Sequence, residues 1–92
     1  MISLDELKAH LRIETDDEND YLGSLLRMAE ATVVDFCGQS FSDAPEPVRL
    51  AILLFAGHHY THRENGDPSA YDAMTTAFRA LLWPYREPGS LF

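Results

Sequence analysis

Eight consecutive residues without a polar side chain, Leu50 to Gly57 (Leu-Ala-Ile-Leu-Leu-Phe-Ala-Gly), constrain this chain more than any other stretch. Flanked by Pro47-Val48-Arg49 and by His58-His59-Tyr60-Thr61-His62-Arg63, they read as one helix whose middle is apolar on every side. Such a helix must be covered on most of its surface. Spanning a bilayer takes about 18 apolar residues, so the cover has to be protein rather than lipid, and no membrane partner is expected. The rest of the chain is expected to pack around this segment, which can also be shared with neighbouring subunits.

At 92 residues the chain fits one domain, able to bury roughly 60% of its unfolded surface in a single modest core. Acidic side chains outnumber basic ones 15 to 7, for a net charge of −8, which argues against sequence-independent DNA binding through phosphate neutralisation. Cys37 is the lone cysteine and cannot form an intramolecular disulfide. The start of the chain lacks a basic stretch followed by an apolar one, so an intracellular protein without a signal peptide is expected.

Ser3-Leu4-Asp5-Glu6 has the form of a capping box, and Leu4, Leu7 and Leu11 fall on one stripe, predicting a short helix within 1–12. Ile2 stands where it can staple onto Leu7. Thr15, three residues before Glu18, and the acids Asp16, Asp17 and Glu18 suggest a second start, with a long helix over 17–37. Its apolar stripe is Leu22, Leu25, Leu26, Ala29, Val33 and Phe36, and Gly38 suits the left-handed residue past its end. Gly23, inside the helix, suggests close approach of another backbone. The Ser-, Asp- and Pro-rich stretch from Gln39 to Glu46 reads as the longest loop, open to motion. Pro45 and Pro47 suit the first turn of the central helix, expected over 47–64. Asn65-Gly66-Asp67-Pro68 reads as a turn before a fourth helix over 69–82, with Tyr71, Met74, Phe78, Leu81 and Leu82 on one side. Pro84 disfavours a helical Trp83, and residues 87–92 read as a flexible tail. With no period-two alternation between turns, the chain is read as all-α, a small bundle of about four helices around the central one.

Candidate chemistry is sparse. His58 and His62, four apart, share a helix face as zinc ligands do, but His-His-Tyr-Thr-His has histidine in place of the general base of a zinc protease and lacks a third-ligand motif. No metal or cofactor is expected. The imidazoles instead lie near the negative end of a helix dipole, which favours protonation. The acids from Glu14 to Asp20 fail as a calcium loop, because Tyr21 and Arg27 stand where glycine and glutamate are needed. Cys37 has no basic sequence neighbour to lower its pKa, and the serines are in no nucleophile elbow, so no catalytic residue is named and an enzyme is not expected. Trp83-Pro84-Tyr85-Arg86 combines the aromatic and arginine types that anchor interfaces.

Three segments together resemble a known family. The opening Ile2 to Ile13 followed by Asp16-Asp17-Glu18-Asn19-Asp20-Tyr21-Leu22 is similar to the N-terminal signature of the small phage head-tail connector proteins, the adaptors beneath the portal of long-tailed phages and prophages. The central helix closing on Tyr60-Thr61-His62-Arg63-Glu64 resembles the family's aromatic-x-x-Arg-Glu ending, and Leu81-Leu82-Trp83-Pro84-Tyr85-Arg86 resembles its Leu-Leu-x-Pro-Tyr-Arg close. The chain departs from that pattern between Gly66 and Leu82, where an Ala- and Thr-rich helix replaces a shorter Pro-containing segment.

The resemblance implies an all-α, ring-forming subunit, usually twelve-fold, in the virion neck and assembled in the host cytoplasm. Its partners would be further copies of itself, the portal, and a stopper or tail-completion protein, with DNA passing through the channel without specific binding. Leu50, Ile52, Leu53, Leu54, Phe55 and Tyr60 are expected to carry core and subunit packing. Arg63, Trp83, Tyr85 and Arg86 are expected at contacts with other chains. The rival expectation is a small intracellular protein-protein interaction or regulatory module that uses the same apolar surface.

Overall fold

A computed structural model describes residues 1–62 and 67–87. Among them the chain forms four α-helices and a closing 3-10 turn, with no strand: α1 (Leu4–Leu11), α2 (Asn19–Cys37), α3 (Glu46–Thr61), α4 (Pro68–Leu82) and η1 (Trp83–Tyr85). The all-α expectation holds. The expected helix end at Arg63-Glu64, the turn at Asn65-Gly66 and the tail 88–92 lie outside the described residues.

Local signals set most boundaries. At α1 the capping box is complete: Ser3 Oγ accepts from the Glu6 amide at 3.1 Å, and Glu6 Oε1 accepts from the Ser3 amide at 3.2 Å. The helix ends with Arg12 left-handed (φ 60°) and the Ile13 amide donating back to the Lys8 carbonyl at 2.9 Å, a Schellman close made without glycine. The start of α2 differs from the expected residue 17. The Asp16 carboxylate accepts from Lys8 Nζ at 2.6 Å and from Asn19 Nδ2 at 3.4 Å, while its carbonyl accepts from the Asn19 amide. Those bonds hold 16–19 in a turn, so the helix begins at Asn19 with no side-chain cap, and Thr15 does not cap it. Gly38 ends α2 with φ 72°, the left-handed conformation its position suggests. Pro45 and Pro47 flank the start of α3, and Asp67 caps α4 by accepting from the Ser69 amide at 3.0 Å. Trp83 keeps helical dihedrals (φ −51°, ψ −45°) despite Pro84, because the chain tightens into a 3-10 turn instead of leaving the helix.

Packing around α3 is as its composition demands: it touches α1, α2 and α4, and Val48, Ala51, Ile52, Phe55, Ala56 and Gly57 are buried. They meet Leu7 of α1, Leu22, Leu25, Leu26, Ala29 and Val33 of α2, and Met74, Phe78 and Leu82 of α4. The Phe78 ring joins three helices, with centroids 5.3 Å from Phe55 and 6.1 Å from Phe36. The Cα envelope measures 41 × 31 × 17 Å. Two layers of packed helices, with axes about 8–10 Å apart, take up most of that 17 Å Cα thickness, so a third layer cannot close over α3.

Three expectations are corrected by this packing. A Cβ on Gly23 would meet only the end of Arg27, at 3.4 Å, so no second backbone approaches there. The close approach falls at Gly57, where a Cβ would sit 3.3 Å from Leu11 Cδ2. The 39–45 loop is tied down, with Ala44 buried, Phe41 edge-on to Tyr85 at 6.4 Å and Gln39 Nε2 donating to the Tyr85 carbonyl at 2.6 Å. Tyr71, expected on the inner side of α4, is 45% exposed, because the core stripe of that helix runs through Met74, Phe78 and Leu82.

Candidate interaction surfaces

Residue placement decides what the surface offers. Of the residues expected to pack, Ile52 and Phe55 are buried, and Leu53, Leu54 and Tyr60 are half-buried. The Tyr60 ring lies 6.4 Å from that of Tyr21 on α2. Leu50 is 49% exposed and so stands outside the chain's own core. Arg63 lies outside the described residues.

The C-terminal group separates into two roles. Arg86 is gripped within its own chain: its guanidinium lies 5.1 Å from the Phe36 ring centroid and 5.0 Å from that of Trp83, and its Nε donates to the Phe36 carbonyl at 3.2 Å. The next amide, on Glu87, donates to the Cys37 carbonyl at 2.7 Å. Together with Tyr85 against Phe41, these bonds strap the end of α4 to the end of α2. Trp83 remains 64% exposed, the most open large apolar side chain described. Arg86 also acts on Cys37, a neighbour the linear sequence hides. Burial pushes the thiol above its ordinary value, and the guanidinium charge offsets this only in part, which leaves a poor nucleophile.

Two open surfaces flank α4. The first is a groove of about 200 Å³ between α2 and α4, floored by Phe55 and Phe78 and walled by Thr32, Asp35 and Phe36 on one side and Tyr71, Thr75 and Arg79 on the other. Met28, one turn before Thr32, is 40% exposed and prolongs the α2 wall. The sequence contains a signal for this surface that amphipathic reading overlooks: Tyr71, Thr75, Arg79 and Trp83 are each four residues apart and form one row along α4.

The second surface is a more open cavity of about 290 Å³ where α1, α3 and α4 meet, lined by Leu11, Leu54, Gly57 and Met74 with His10, His58 and His62 at its edge. The His58 and His62 rings do share a face, with centroids 4.6 Å apart, and His59 lies 5.4 Å from His58. Among the described residues no group of three or more His, Cys, Asp or Glu side chains is arranged to hold a metal ion. The electrostatics also reverse the expectation from the helix dipole. Desolvation, followed by repulsion from His62 and His59, lowers the pKa of His58, and desolvation lowers that of His59. No described helix is long and apolar enough to cross a membrane.

Aromatic, methionine and arginine side chains are exposed beside apolar grooves, the composition found at the centres of interfaces. The sequence profile of the phage gp6-like head-tail connector proteins matches residues 1–86, which takes in all three segments of the resemblance. No curated protein and no solved structure gives a significant match. Fold, surface and near-complete coverage agree, and the chain belongs to the phage gp6-like head-tail connector family.

Proposed function

We propose that the chain is a non-enzymatic subunit of the virion neck that assembles into a ring beneath the portal and joins the DNA-filled head to the stopper and tail. Membership of a connector family supports a structural role in the virion and contacts with other virion proteins such as portal and tail components. The observation that carries the reading furthest is the set of apolar side chains left open around a complete core: Leu50, Tyr71, Met28 and Trp83. Exposed large apolar side chains that gather beside a groove mark interaction surfaces, and a subunit with neighbours on both sides would cover them.

In this reading the acidic balance has a role as well. With a net charge of −8, carboxylates turned to the channel repel the DNA backbone and let it slide through without being held. Size-exclusion chromatography with light scattering, on the chain alone and mixed with its portal protein, tests assembly. A discrete multi-subunit ring or a portal-bound ring is expected, and a strict monomer or dimer under both conditions would overturn the reading. A ring structure with a strongly basic lumen would reject the proposed role of the charge.

A further inference from the structure

The two surfaces beside α4 differ in shape and charge, and they match each other. On α3, Glu46, Leu50, Leu54 and His58 are each four residues apart and form one row. The Glu46 side chain is 92% exposed at one end, Leu50 is open, and Leu54 and His58 are half-covered at the rim of the cavity shared with α1. Across α4, Tyr71, Thr75 and Arg79 form one wall of the concave apolar groove. One surface offers aliphatic side chains with Glu46 and Arg49 at the end, and the other offers an aromatic hollow with Arg79 in one wall and Asp35 in the other.

We infer that these are the two halves of one contact, in which the α3 row of one copy seats in the α2–α4 groove of the next. This rests on the ring reading above and names the faces that build the ring. Both rows are ridges of side chains four apart, the kind that interdigitate when two helices cross at about 50°. Leu50 and Leu54 lie over Phe55, Phe78 and Tyr71 of the neighbouring copy, and Glu46 pairs with Arg79, exchanging its weak exposed contact with Arg49 in its own chain (3.6 Å) for one between chains. Because the two faces are different patches of one molecule, the contact is head-to-tail: it leaves a free face at each end and repeats until the rotation closes a ring.

Thiol cross-linking distinguishes the arrangements. Leu50→Cys and Thr75→Cys alter surface positions that the core does not need, and the native Cys37 is fully buried. A short bismaleimide added to an equal mixture of the two variant proteins is expected to join them, while either variant alone stays uncoupled at a yield at least tenfold lower. In the same assay Glu46→Arg or Arg79→Glu alone should cut the yield severalfold, and the two introduced on opposite partners should restore it. Coupling within a single variant would mean a two-fold symmetric contact and overturns the inference. Higher oligomers by light scattering without mixed coupling overturn the assignment of faces and leave the connector reading standing. A monomer at every concentration with no coupling, both alone and mixed with portal protein, overturns both.

Discussion

Alanine at the two helical glycines tests the helix arrangement most directly. In the interior of a helix, Gly→Ala gains roughly 0.8–1 kcal/mol from backbone entropy when the new methyl group finds space. Gly23→Ala has that space, since its Cβ meets only the mobile end of Arg27 at 3.4 Å. The expected gain is about 1 kcal/mol, or roughly 4–8 °C in Tm for a domain of this size. Gly57→Ala places its Cβ 3.3 Å from Leu11 Cδ2 and 3.8 Å from the His10 ring, so Leu11 must give way by a few tenths of an ångström. The same entropic gain is then offset by overpacking of about 1 kcal/mol or more, and the net change should be near zero or unfavourable. Urea denaturation at fixed protein concentration reads both variants as shifts in midpoint at unchanged slope. A double-mutant cycle isolates the cause: in a Leu11→Ala background, Gly57→Ala should recover its gain, a coupling of about 1 kcal/mol. If Gly57→Ala stabilises as much as Gly23→Ala and shows no coupling to Leu11, then α1 does not press on α3 and the reasoning fails.

Other perturbations follow from the same packing. Ile52→Ala removes a fully buried side chain and should cost about 2–5 kcal/mol in urea denaturation, whereas Leu50→Ala at its open position should cost well under 1. Arg86→Ala breaks the bond to the Phe36 carbonyl and two ring contacts and should cost about 1–2 kcal/mol, more than Trp83→Ala in the same assay. Lowered pKa values at His58 and His59 mean that the unfolded chain takes up protons first as pH falls. Their contribution to stability is therefore fully present above the ordinary histidine value of 6.5 and is lost as pH falls from there through the depressed folded values. Stability measured between pH 8 and 5.5 should decline on the acid side, and the double variant His58→Gln/His59→Gln should flatten that slope. Arg12→Gly relieves a left-handed non-glycine residue and should raise stability by about 1 kcal/mol, read as a higher urea midpoint.

Local chemistry within a few residues determined a large part of this protein without help from the fold. The Ser3–Glu6 box, the left-handed Gly38, the prolines at the head of α3 and the cap residue Asp67 act through hydrogen bonds and dihedral preferences spanning four residues or fewer. The apolar run in α3 likewise marked the central helix, because a segment apolar on every side must be covered on most of its surface. Tertiary structure decided matters that depend on distant partners. Lys8 holds Asp16 from eight residues away, and α2 begins at Asn19 rather than at the expected residue 17. Gly57, not Gly23, meets another helix, because close approach depends on where α1 lands. Arg86 closes on Phe36 from 50 residues away, and that strap turns an apparently free interface arginine into an internal clamp while leaving Trp83 outside. His58 and His59 lose proton affinity because burial desolvates them, an effect that periodicity cannot register. Amphipathic spacing shows which residues share a face, but whether that face meets its own chain or another depends on the thickness of the slab. At 17 Å this slab is too thin to close over its central helix.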